Sequence, residues 1–123
     1  MENEIEINGA AYVLKSSIKA PATPALKKKG MEYAIVRTHS AGVIAGYIVS
    51  EKGQEVEIAE ARRLWFWSGA ASLSQLAMEG VKHPDKCKFP VAVAKLRVKQ
   101  AIEILPCTEV ARKSIEGVSV WSA

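Results

Sequence analysis

Three consecutive β-rich runs constrain the fold of this chain more than any other feature. They are Met31 to Thr38 (MEYAIVRT), Val43 to Ser50 (VIAGYIVS) and Glu55 to Trp67. Only His39-Ser40-Ala41-Gly42 separates the first pair, and a turn at Glu51-Lys52-Gly53 leads into the third. Gaps this short join antiparallel neighbours, because a parallel pair needs a crossover of a dozen or more residues. An antiparallel meander is therefore expected. Gly42 and Gly46 mark a bulge or a close backbone approach.

The remaining elements follow from local signals. Ala70 to Glu79 (AASLSQLAME) is rich in helix formers, with Ser68 as its N-cap, Gly80 at C′ and Leu73, Leu76 and Ala77 as its apolar stripe. After a polar loop at His83-Pro84-Asp85, Phe89 to Leu96 and Ala101 to Leu105 read as two more strands, and Pro106 stops the second. Thr108 and Glu109 open a last short helix through Ile115, followed by Gly117 and a tail, Val118 to Trp121, tucked against the sheet. Near the amino terminus, Ile5 and Ile7 alternate with carboxylates before Asn8-Gly9, which predicts a β-hairpin over residues 1–15. Residues 16–30, with Pro21, Pro24, Lys27-Lys28-Lys29 and Gly30, read as a linker-like crossing segment. The expected fold is a single α+β domain over 1–123: a mainly antiparallel sheet with an N-terminal hairpin and two short helices.

A chain of 123 residues can bury a core without metal or disulfide support. With 49% hydrophobic and 24% charged residues it has a globular composition, and no apolar run approaches a membrane span. Two cysteines, Cys87 and Cys107, fit reduced thiols in a cytoplasmic setting. The acidic start Met1-Glu2-Asn3-Glu4 leads into no apolar region, so no secretory leader is expected. The net charge of +4 favours anionic partners but falls short of the dense basic stripes of DNA-binding domains.

Catalytic signatures are sparse. His39 and His83 have no metal-ligand neighbours at zinc spacing, the cysteines form no C-x-x-C pair, and the P-loop and Gly-x-Ser-x-Gly motifs do not occur. Neither a metal nor a cofactor is expected. Glu55, Glu57 and Glu60 read as a solvated strand face rather than a pair of catalytic acids.

Binding has better support in Ala61-Arg62-Arg63-Leu64-Trp65-Phe66-Trp67-Ser68-Gly69. Successive strand side chains point to opposite faces. If Leu64 and Phe66 face the core, Arg63, Trp65 and Trp67 share the other face. Indoles stack on bases and a guanidinium pairs with phosphate, so this combination suits a nucleotide. The opposite parity, with both tryptophans packed inward, also satisfies the alternation. Ser68-Gly69 before a helix N-terminus would add backbone N–H groups for phosphate. Lys95 and Arg97 on one parity of a later strand, Arg112-Lys113 on the last helix and Arg37 are further cations.

The blocks ARRLWFWSGAASLSQLAMEG (Ala61 to Gly80) and AIEILPCTEVARKSIEGV (Ala101 to Val118) resemble the phage-encoded Thoeris anti-defence proteins of the first type described. The resemblance runs from about Gly30 to the end and leaves out the first thirty residues. It implies a non-enzymatic sponge that sequesters glycocyclic ADP-ribose, the signal of bacterial TIR enzymes, with cyclic di- or trinucleotides at separate sites. It also implies a homo-oligomer whose pockets use aromatic rings and arginines, for which Arg62, Arg63, Trp65, Trp67, Arg97 and Arg112 are the candidates. Two other readings compete. A nucleic-acid-binding accessory protein would draw on the basic charge and the Trp-rich strand. A small hydrolase would destroy the signal.

Overall fold

The structure, a computed structural model, describes residues 23–123. The expected hairpin at 1–15 lies outside the described residues, as does most of the predicted linker. Five strands appear in chain order with two helices: β1 (Glu32–Thr38), β2 (Val43–Lys52), β3 (Glu55–Arg63), α1 (Leu73–Glu79), β4 (Val93–Val98), β5 (Ala101–Pro106) and α2 (Glu109–Glu116). All pair antiparallel in the order β4-β3-β2-β1-β5, and the expected meander is β1-β2-β3. The fold is α+β.

The sheet cannot be flat. β4 and β5 occupy opposite edges, and five flat strands would put those edges about 19 Å apart. Yet only Lys99 and Gln100 connect them, which limits Val98 and Ala101 to about 11 Å between Cα atoms. The sheet therefore coils until its edges meet at one end. There the Ala101 N–H donates to the Gln54 carbonyl at 3.0 Å and the His39 N–H to the Gln100 carbonyl at 2.9 Å.

One of three register shifts in the sheet lies at Gly46, the others at Val49 and between Arg37 and Thr38. Register slips between Ala45 and Tyr47, so that Glu60 and Ala61 of β3 bulge opposite Gly46, and Glu60 sits at φ +52°. A Cβ on Gly46 would lie 2.6 Å from Ile58 Cγ2 and 2.8 Å from the Ala59 carbonyl oxygen. Close approach therefore accounts for the glycine.

The bulge also sets which residues face which core. Before it, Val56 and Ile58 point into the concave face with Val36, Ile44, Val98 and Ala101. After it the phase shifts, so Ala61 points inward and Arg62 points to the helix side. That convex face carries the larger core, in which Tyr33, Ile35, Tyr47 and Leu64 pack against Leu76, Phe89, Ala111 and Ile115.

Several expected boundaries move, each for a local reason. The third strand ends at Arg63 rather than Trp67. The Leu64 N–H still bonds the Val43 carbonyl, but Trp65 and Phe66 N–H both turn to the Lys88 carbonyl. The first helix starts at Leu73, capped by Ser72, whose hydroxyl accepts from the Gln75 N–H while Gln75 Oε1 accepts from the Ala71 N–H. Ser72 and Gln75 thus form a variant of the capping box, and Ser68 is not the cap. The fourth strand begins at Val93, because Phe89 is fully buried and Pro90 has no N–H to extend a ladder. Thr108 caps α2 as expected, accepting from the Ala111 N–H.

Residues 23–30 do not behave as a free linker. The Ala25 N–H bonds the Cys107 carbonyl, the Glu109 N–H bonds the Thr23 carbonyl, and Glu109 Oε1 accepts from the Leu26 N–H. The tail is also fixed: Val118 is buried and Val120 bridges Phe89 in parallel.

Candidate functional site

Two concavities hold most of the candidate residues. The smaller, of about 520 Å³, lies where β3 leaves the sheet. Its walls are Ser40, Ala41 and Gly42 of the β1–β2 turn on one side and Arg63, Leu64, Trp65 and Trp67 on the other. Leu64 is buried while Arg63 and Trp65 are exposed, as the first parity expects, but Trp67 is half-buried and packs against the same core as Leu64. That parity fails for Phe66, which is half-exposed because its backbone pairs with Lys88 instead of continuing the strand.

Arg63 is held but not consumed. Its Nη1 donates to the Ala41 carbonyl at 2.7 Å, and Nε and Nη2 have no partner among the described residues. Trp65 is 70% exposed, and its indole stacks on that of Trp121 with centroids 6.4 Å apart and planes at 20°. The Lys88 ammonium lies 5.6 Å from the Trp121 ring centre. Trp121 was not among the sequence candidates. A tail residue has no periodic pattern, and its position depends on the Trp121 N–H bond to the Phe89 carbonyl.

Ser68-Gly69 does not serve as a phosphate cradle, because the helix opens four residues later at Leu73. Gly69, at φ +93°, instead packs so closely on the next loop that a Cβ would fall 2.4 Å from the Lys82 nitrogen.

The larger concavity, about 700 Å³, lies on the convex face between β2–β3, the 26–28 segment and α2. Arg62 lines its floor, only 7% exposed. Its Nε donates to the Pro90 carbonyl, Nη1 to Ile115 and Nη2 to Phe89, at 3.0, 3.0 and 3.1 Å. Arg62 is thus a structural clamp that ties β3 to α2 and the 89–90 loop, and it lies outside the recess that holds Arg63, Trp65 and Trp67. Burial lowers its tendency to hold a proton.

Arg112 lines the same cleft, and its guanidinium is tied to Glu109 and Glu116. These carboxylates push its pKa upward, and the Glu109 carboxyl falls to about 2, held down first by Arg112 and then by the Leu26 N–H. Tyr47 Oη donates to Glu116 Oε2 at 3.2 Å, and Lys28 pairs with Glu60.

Arg97 joins neither concavity. β4 pairs with β3 so that Arg97 lies opposite Glu57, roughly 20 Å along the strand from Arg63, in a small recess with Ser50, Glu55 and Lys99. The structure therefore brings Arg63, Trp65 and Trp67 together, places Arg62 and Arg112 in a second cleft, and separates Arg97 from both. Among the described residues no group of three or more His, Cys, Asp or Glu side chains could hold a metal. No helix there is long and apolar enough to cross a membrane.

A coiled five-stranded antiparallel sheet with two helices on its convex face, and an arginine–tryptophan recess at one end, defines the class of domain. The chain belongs to the family described as Domain of unknown function (DUF6948), whose model matches residues 31–115. That span contains all six candidate residues and stops short of Trp121. No curated protein and no solved structure matches the chain.

Proposed function

We propose that this protein is a non-catalytic binder that captures a phosphorylated, base-bearing small molecule in the Arg63–Trp65–Trp67 recess and leaves it chemically unchanged. In biological terms the reading is an anti-defence sponge for a cyclic nucleotide signal of the glycocyclic ADP-ribose type, with cyclic di- or trinucleotides as further guests, acting in the host cytoplasm as a homo-oligomer. One observation carries the chemistry: an indole left 70% exposed, backed by a second indole, beside a guanidinium with N–H groups that have no partner among the described residues. A large apolar ring normally avoids such exposure, and a stacked pair presents a rigid platform for a base. Stacking contributes about 1–3 kcal/mol per base and a charge-assisted hydrogen bond about 1.5–3 kcal/mol. Several such contacts approach the roughly −12 kcal/mol of nanomolar affinity only if the pocket is closed further, which a second copy of the chain would do.

The test is calorimetric titration of cyclic ADP-ribose isomers, followed by denaturation and chromatography of the released ligand. Saturable binding with intact ligand recovered supports the proposal. A hydrolysed product would make the protein an enzyme. Affinity that grows with oligonucleotide length and falls steeply with salt would make it a nucleic-acid binder.

A further inference from the structure

The convex cleft carries a feature that the nucleotide reading leaves unexplained. Tyr33 lines its floor and is only 2% exposed, yet its hydroxyl has no hydrogen-bond partner among the described residues. Buried hydroxyls are almost always paired, since leaving one unsatisfied costs about 1–3 kcal/mol. Arg62 lines the same floor, and the two groups influence each other electrostatically. Of the five N–H groups of a guanidinium, Arg62 gives three to carbonyls, so two remain unassigned among the described residues. No carboxylate pairs with Arg62 among the described residues, whereas Lys28 and Arg112 are each matched to an acid. Around this floor Leu26, Val91 and Val120 form an exposed apolar part of the wall, beside the charged Lys27, Lys28, Glu60, Arg112 and Glu116.

We infer that the convex cleft is a second binding site, which takes a small organic monocarboxylate with an apolar body, its carboxylate received by the Tyr33 hydroxyl and the free Arg62 N–H groups. Two planar oxygens match a guanidinium edge plus one hydroxyl donor. Burial keeps the Tyr33 phenol protonated, so it stays a donor. Lys27, Lys28 and Arg112 offset Glu60 and Glu116 in the lining, so the discrimination lies in the body of the ligand: inorganic phosphate has no apolar part to cover Leu26, Val91 and Val120. This site is independent of the Arg63–Trp65–Trp67 recess.

The experiment is calorimetry of the full chain with octanoate, benzoate and inorganic phosphate. Octanoate and benzoate should bind once per chain and phosphate should not. Tyr33→Phe should weaken octanoate about tenfold, the scale of one hydrogen bond to a charged group. Trp65→Ala should leave octanoate binding unchanged. Ligand-free Tyr33→Phe should melt no lower than the parent, because it loses a hydroxyl that no described residue satisfies. Absence of carboxylate binding, equal octanoate affinity in Tyr33→Phe, or phosphate binding as tightly as octanoate would each overturn the inference. A clear drop in the ligand-free melting temperature of Tyr33→Phe would do the same, since it would mean the chain itself holds the hydroxyl.

Discussion

Trp65 and Trp121 lie ring over ring, centroids 6.4 Å apart and 20° from parallel, although one follows the third strand and the other sits near the end of the chain. Both remain substantially exposed, at 70% and 44%. Offset aromatic pairs of this kind are worth about 0.5–1.5 kcal/mol beyond burial. Trp65→Ala should therefore cost no more than about 1.5 kcal/mol in urea unfolding while weakening the proposed nucleotide binding roughly 5- to 150-fold, the worth of one ring stack. A variant that binds as the parent does would remove Trp65 from the ligand platform.

Neighbouring arginines should respond in opposite ways. Arg62 bonds three backbone carbonyls from two separate segments; without it the Pro90 carbonyl has no donor among the described residues, while Phe89 and Ile115 keep the N–H groups of Trp121 and Val118. Arg62→Ala should lose about 1.5–3 kcal/mol of stability, the scale of a buried hydrogen bond to a charged group. Arg63, on the rim and bonded only to the Ala41 carbonyl among the described residues, should lose less than about 1 kcal/mol as Arg63→Ala while weakening nucleotide binding. Chemical denaturation of the two variants side by side decides the matter; similar midpoints would contradict the clamp.

Gly46→Ala should destabilise by about 1–3 kcal/mol, the range for forcing extra atoms into a packed site. The new methyl group would meet Ile58 Cγ2 and the Ala59 carbonyl, and the backbone cannot give way without disturbing the bulge. Thermal melts with unchanged midpoint would mean that the coiling of β2 does not depend on this contact.

Acid should loosen the α2 end of the protein first. The Arg112 guanidinium and the Leu26 N–H hold the Glu109 carboxyl at about 2, below its ordinary 4.5. A carboxyl depressed in the folded state stabilises fully above about pH 4.5, and the benefit fades as pH falls towards about 2. The urea midpoint of Glu109→Gln should lie below that of the parent at pH 7, and the gap should narrow between pH 4.5 and 2. A gap that stays constant across that window would show that the ion pair does not govern the acid response.

Cys107 should be chemically silent. Burial pushes its thiol up to about 12, and the thiolate is the reactive form. In Cys87→Ser the remaining thiol should ignore an aromatic disulfide reagent at pH 8 until denaturant is added. Rapid reaction with the folded protein would contradict its burial.

Much of the fold is legible in the residues themselves, because it rests on local rules. Short Gly-containing turns between β-rich runs dictate antiparallel neighbours, and Thr108 with Gly117 bounds the second helix whatever packs around it. The first helix shows where such rules stop: Ser68 and Ser72 both look like caps, and only Ser72 has Gln75 three residues on to complete the bonding. Strand three shows it again. Its alternation suggests continuation to Trp67, but the Lys88 carbonyl competes for the Trp65 and Phe66 N–H groups, and no local pattern announces a partner so far along the chain.

The amino-acid order alone established the class of fold and the meander, since these depend on local backbone geometry, and it left two parities open for Arg63, Trp65 and Trp67. Tertiary structure decided the fate of each arginine and the making of the platform. One bulge opposite Gly46 shifts the phase of β3 and turns Arg62 to the helix face, where three carbonyls hold it. Trp121 reaches Trp65 only because the tail pairs with Phe89. Contacts between distant segments arise from packing the whole chain at once, and no short window of residues contains that information.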